Sequence, residues 1–148
     1  MIICKTPREI DIMRESGKVT GLILKELEHF IKPGISTMDI NCFAEQIILK
    51  HKMIPTFKGY GGFPAAACVS INEEVVHGIP SKDRILMEGD IVSVDVGSTY
   101  KGYVSDAART YGVGRISAEA RHLIQATEDS FFAGLQFCKV GCRLSDIS

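Results

Sequence analysis

Residues 90–113, DIVSVDVGSTYKGYVSDAARTYGV, place Asp95 in the middle of a valine-rich strand and Asp106 on a segment that reads as the returning strand. Alternation sets Ser93 and Asp95 on one face and Val92, Val94 and Val96 on the other, while Ser98, Thr99, Tyr100, Lys101 and Gly102 supply the turn. A hairpin folded about Tyr100 and Lys101 brings Asp95 directly opposite Asp106. Opposed residues of an antiparallel pair share a face with Cβ atoms about 5 Å apart, where two carboxylates repel unless something stands between them. A divalent cation is the simplest such occupant. The competing reading is a register off by one, or an Asp106 that merely solvates a strand end, because aspartate is a poor strand former and usually exposed. Against it stands the cost of leaving a carboxylate unpaired in a half-buried strand.

The chain of 148 residues has room for one domain with a proper core. Its 17 basic and 18 acidic residues nearly cancel, and no basic run or interleaving of basic and aromatic residues occurs. Direct nucleic-acid binding and an anionic membrane surface are therefore not expected. The five cysteines, Cys4, Cys42, Cys68, Cys138 and Cys142, are odd in number and scattered, and contain no C-x-x-C pair. That argues against a disulfide framework and a zinc ribbon and suits a reducing cytoplasm. The opening MIICKTPREID carries too short an apolar run for a signal-peptide core, and no later stretch approaches a membrane span.

Thr6, Pro7 and Glu9 form a helix start, with a capping hydroxyl, proline at the first helical position and a carboxylate three residues after the cap. The apolar or small positions Ile10, Met13, Gly17, Gly21, Leu24, Leu27 and Ile31 recur at three- and four-residue steps and predict a helix from Pro7 to about Ile31, and Pro33-Gly34 stops it. Ser36 or Thr37 caps a second helix over 38–51, with Phe43, Ile47 and Ile48 apolar. Residues 57–64, FKGYGGFP, read as a loop, Ala67 to Ile71 as a strand, 91–97 and 103–112 as the hairpin, and Ser117 opens a third helix to about Cys138. Long helices beside a small antiparallel sheet make an α+β arrangement. One stretch repeats: Lys32-Pro-Gly-Ile-Ser-Thr-Met-Asp-Ile40 returns as Lys139-Val-Gly-Cys-Arg-Leu-Ser-Asp-Ile147, and Arg14, Thr20 and Phe30 match Arg121, Thr127 and Phe137 at the same offset. Either a second repeat begins there, or two amphipathic helices ending in K-x-G look alike by chance.

His77, in VSINEEVVHGIP, lies between the aromatic glycine loop and the paired-aspartate hairpin. A lone histidine in a turn is commonly structural, yet neutral imidazole there can bind metal or hydrogen-bond a polarised carbonyl.

The run YGGFPAAACVSINEEVVHGIP, followed by GDIVSVDVGSTYKGYVSDAARTY, closely resembles methionine aminopeptidase of the short bacterial type (type I, peptidase family M24). The opening KTPREIDIMRESG and the later KPGIST match that family's first helix and its end, so the resemblance covers nearly the whole chain. It implies the pita-bread (creatinase/aminopeptidase) fold, two α/β halves related by a pseudo-twofold, which is how the K-x-G repeat would look in sequence. By matching position it makes Asp95 a bidentate ligand of a first metal and Asp106 a bridge between two, Co, Mn, Fe or Zn. His77 matches a histidine that contacts the scissile amide and holds no metal. Tyr60, Phe63 and Cys68, with Phe57, match positions lining the pocket for a methionine side chain. An apolar, sulfur-tolerant pocket suits a thioether, and carboxylates suit hard divalent ions. Without the resemblance, the aromatics read as loop packing and Cys68 as a small core residue. The related prolidases and aminopeptidases P carry an extra N-terminal domain with no counterpart here.

The departures bear on activity. The family's remaining ligands, one histidine and two glutamates, together with its second histidine and its general-base carboxylate, come from a second half that this sequence does not include. Val104-Ser105 stands before Asp106 where many relatives have histidine and glycine. The expectation is therefore that residues 1–148 are the N-terminal half of a cytoplasmic enzyme removing the initiator methionine from nascent proteins emerging at the ribosome, with weak or partial metal binding and no activity in this chain alone. The alternative is a short paralogue, a non-catalytic peptide-binding or assembly module on the same scaffold.

Overall fold

The computed structural model describes residues 3–148, so the apolar run at the N-terminus lies partly outside the described residues. Helix α1 (Pro7–Phe30) starts as its sequence dictates: Thr6 Oγ1 accepts the Glu9 N–H, and Glu9 Oε2 accepts the Thr6 N–H at 2.7 Å. Helix α2 (Thr37–Lys50) is capped by Ser36, with the same reciprocal pair to Asp39. Then come β1 (Ile54–Pro55), a single 3₁₀ turn Tyr60–Gly62, β2 (Ala67–Ile71), β3 (Ile91–Tyr100), β4 (Tyr103–Gly112) and α3 (Ala118–Leu135). The third helix ends about one turn before the expected Cys138, while its cap is Ser117 as read. The two-residue β1 has no counterpart in the sequence reading, being too short to carry an alternation.

All four strands form one antiparallel sheet in which β3 is central. On one edge it pairs with β2 and, further along, with β1, and on the other with β4. Val92, Val94 and Val96 are fully buried, as their alternation predicts, and join Ala67, Val69 and Ile71 of β2 against α1 and α2. Phe30 and Phe43 stack at 4.3 Å where the two helices meet.

Helix α1 buries only the C-terminal part of that stripe, Leu24 and Leu27, with Ile31 just after it. Ile10 and Met13 are exposed, as are Gly17 and Gly21, and the buried residues are Ser16, Val19, Thr20, Ile23, Leu24 and Leu27. The rotation has a polar cause. Ser16 and Thr20, one turn apart on the same helix face, meet Ser98 and Ser105, a directly opposed cross-strand pair. Ser16 Oγ lies 3.1 Å from Ser98 Oγ and 2.9 Å from Ser105 Oγ, and Thr20 Oγ1 lies 3.1 and 2.6 Å from the same two atoms. Ser16 also donates to the Ser98 carbonyl at 2.7 Å. The hydroxyls satisfy one another inside the core, so the face bearing them can be buried without an orphaned polar group.

The K-x-G repeat reappears in backbone geometry. Gly34 and Gly141, at matching places, have φ of +91° and +94°. Asp39 accepts the Ser36 N–H at 2.8 Å, and Asp146 accepts the Arg143 N–H at 2.7 Å. The first copy leads into α2, the second into a short 3₁₀ turn, Leu144–Asp146.

Candidate metal and substrate site

The hairpin turns on Lys101 and Gly102, both at positive φ (49° and 83°), so the strands run on to the pair Tyr100↔Tyr103. Two positive φ values in a two-residue loop match the right-handed strand twist. This corrects the register. Asp95 stands opposite Ala108 and Asp106 opposite Gly97, so the aspartates are diagonal neighbours and not directly opposed. The slip is by two residues, which preserves the face, and diagonal positions on one face still lie within reach of each other.

That face carries three rungs read across β2, β3 and β4. Ser70, Ser93 and Thr110 form the first, Cys68, Asp95 and Ala108 the second, and Gly97 with Asp106 the third. Ser93 and Thr110 close on each other at 2.8 Å. Asp95 is half-buried and Asp106 exposed. Burial first, and the neighbouring Asp106 second, push the Asp95 carboxyl up to about 6. Asp95 Oδ1 is the only buried side-chain nitrogen or oxygen among the described residues without a hydrogen-bond partner. In a structure whose other described buried polar side-chain atoms are partnered, this orphan beside a second carboxylate fits a cation as the absent partner. The donors are hard oxygens, which suit a divalent ion of the Mn or Mg kind as well as Co, Fe or Zn. Among the described residues, no cluster of three or more histidine, cysteine, aspartate or glutamate side chains is placed to hold an ion, so an ion at Asp95 and Asp106 would need further ligands.

Cys68 is buried opposite Asp95, and burial, with Asp95 and then Asp106 adding to it, pushes its thiol up to about 11. It stays a neutral, apolar thiol at physiological pH. Phe57 lies over the third rung: a Cβ on Gly97 would meet its ring at 2.8 Å, so the missing side chain at Gly97 makes room for the aromatic. Phe63 is half-buried, and Tyr60, in the 3₁₀ turn, is 81% exposed. The structure thus brings Phe57 and Cys68 to the carboxylates and leaves Tyr60 out in solvent. His77 is exposed and sits at φ +60°, close enough to Asp95 that a positive charge on its ring would oppose the upward shift of that carboxyl. Gly97 and the strand residue Ser70 escape a reading of the sequence, for only the register shows what each of them faces.

The open face of an antiparallel sheet backed by two helices thus carries a carboxylate pair. Metallopeptidase family M24 matches residues 11–148, and the chain belongs to that family. It is 55% identical to the methionine aminopeptidase of Clostridium acetobutylicum over its whole length, covering 59% of that protein. A crystal structure of the methionine aminopeptidase from Thermotoga maritima superposes with a TM-score of 0.96 at 44% identity, across 99% of this chain and 59% of that one. The Xaa-Pro dipeptidase from Bacillus anthracis follows at a TM-score of 0.72 and 26% identity, across 88% of this chain and 35% of that one. The α+β arrangement is accordingly that of one half of the pita-bread fold, and the chain spans well under two thirds of the length of these relatives.

Proposed function

We propose that this chain supplies the metal-binding hairpin and one substrate-contact histidine of a methionine aminopeptidase, a cytoplasmic enzyme releasing the N-terminal methionine of nascent proteins. The observation that carries the reading is the orphaned, half-buried Asp95 carboxylate beside Asp106 in a chain of family M24. Asp95 and Asp106 would hold divalent ions, with further ligands from the region that the relatives possess beyond the matched part. Bound there, such ions supply Lewis acidity toward a scissile carbonyl and a water of lowered pKa. His77, beside the carboxylates and open to solvent, would hydrogen-bond the peptide at the amide to be cut. Phe57 and Cys68 would form an apolar wall against which a thioether side chain packs, with the half-buried Phe63 beside them on the glycine-rich loop and Tyr60 brought in only when substrate binds. The five free thiols suit a reducing compartment.

The test is release of methionine from a Met-Ala-Ser peptide. The 148-residue chain alone is expected to release none. A version extended by the C-terminal part of the Clostridium acetobutylicum relative is expected to turn over, and to lose that activity in Asp106→Ala. An extended protein that binds peptide without cleaving it would favour the non-catalytic module instead.

A further inference from the structure

We propose that the Ser70 hydroxyl is a positioning group for His77, holding the peptide bond between His77 and Gly78 so that the imidazole stands over the carboxylate face. This rests on the reading of His77 as the substrate-contact histidine. After β2 the chain leaves the sheet in a loop whose start is pinned: Glu74 accepts the Ile71 N–H at 2.9 Å, and Asn72 bonds Asp90 at 2.8 Å and the Ile91 N–H at 3.0 Å. Val75 and Val76 then project into solvent, 87% and 65% exposed. The chain returns at Gly78, which is pressed onto β2 so closely that a Cβ would stand 2.2 Å from the Val69 carbonyl oxygen. Two hydrogen bonds clasp it there. The Val69 N–H donates to the Gly78 carbonyl at 2.9 Å, and the Gly78 N–H donates to Ser70 Oγ at 3.1 Å.

The Gly78 N–H belongs to the peptide unit that begins at the His77 carbonyl, so the Ser70 hydroxyl fixes the rotation of His77 about its own Cα–C bond. His77 needs such a hold, because at φ +60° a non-glycine residue occupies a region it abandons when nothing over-determines it. Ser70 is buried and shares its face with Cys68, on the strand directly beside Asp95. One strand therefore carries both Cys68, opposite Asp95, and the fastening for the peptide that follows His77. Without the hydroxyl, the peptide can rotate and His77 can relax to negative φ, which swings the ring away.

The experiment is nuclear magnetic resonance on the 148-residue chain, following the Gly78 amide and the ring signals of His29, His51, His77 and His122. In the unaltered chain the Gly78 amide should exchange with solvent more slowly than those of Val75 and Val76. Ser70→Ala should speed Gly78 exchange about tenfold, the worth of one ordinary hydrogen bond, and shift or broaden the His77 ring signals alone. Ser70→Thr, which keeps the hydroxyl, should restore both. A His77 ring unmoved in Ser70→Ala overturns the proposal. So does a Gly78 amide in the unaltered chain exchanging as fast as those of Val75 and Val76, a measurement that stands even if the alanine variant fails to fold. None of these readouts uses turnover, so a His77→Ala extended enzyme that keeps full activity would sink the functional reading separately.

Discussion

Asp95 is held in the fold at a cost. Its Oδ1 is buried without a partner, next to a second carboxylate, and the sheet offers it no donor. Replacing it by asparagine removes the charge while keeping the shape, so Asp95→Asn should raise the stability of the metal-free chain at neutral pH by on the order of 1 kcal/mol. Thermal melting in the presence of a chelator checks this; a variant less stable than the parent would mean that the carboxylate has a partner. Manganese should reverse the order of the two. With only two carboxylates and water to complete the shell, calorimetry on the parent chain should register weak, rapidly exchanging binding, lost in Asp95→Asn, and two tight sites would contradict it. This residue and its face were legible in the alternation of residues 91–96. Its partner was not, because a hairpin can slip by two residues without changing which side chains share a face, and Lys-Gly is a weaker turn signal than Asn-Gly.

Between elements, the hydroxyl cluster of Ser16, Thr20, Ser98 and Ser105 joins α1 to the back of the hairpin, one residue along from the Gly97–Asp106 rung. Ser98→Ala should cost roughly 1–3 kcal/mol, because it strips a partner from the buried Ser16 and Thr20 hydroxyls. The double variant Ser16→Ala/Ser98→Ala should cost less than the two singles added together, measured by urea unfolding. Additive losses would show that the hydroxyls do not act as a unit. At the start of α1, Glu9 accepts from Tyr103 at 2.6 Å and from Thr6, and those bonds hold its carboxyl down at about 2. Because the folded value lies below the usual 4.5, this contribution is complete above that pH and disappears as pH falls toward 2. A stability profile between pH 5 and 2 should therefore be flatter in Glu9→Gln than in the parent.

At the scale of the molecule, α3 buries no residue, and Leu123, Phe131, Phe132, Leu135 and Phe137 are all exposed along it and just beyond. Among the described residues, β4 pairs with β3 alone, which leaves its outer edge open beside the carboxylate face. Apolar helix surface and an open strand edge both invite association. Light scattering at neutral pH should find the 148-residue chain self-associating, and a dye that reports exposed apolar surface should bind it. A compact monomer without a dye signal would show that this surface is covered in a way the described residues do not reveal.

The sequence by itself determined whatever depends on neighbours a few residues away. Thr6 with Glu9 and Ser36 with Asp39 start their helices because cap and acceptor are three residues apart, and the valines of β3 choose the core face by a period of two. The carboxylate face, with Asp95 and Asp106 on it, follows from that same period. Only the tertiary structure decided that α1 would bury Ser16 and Thr20, because the hydroxyls that draw them inward lie on strands far along the chain. It alone decided how His77 is held, since only the fold brings Gly78 so close to Val69 that no side chain fits there and sets the Ser70 hydroxyl on the peptide that follows His77. Local periodicity fixes the direction of a side chain, whereas register and close approach are settled when separate segments compete to fill the same space.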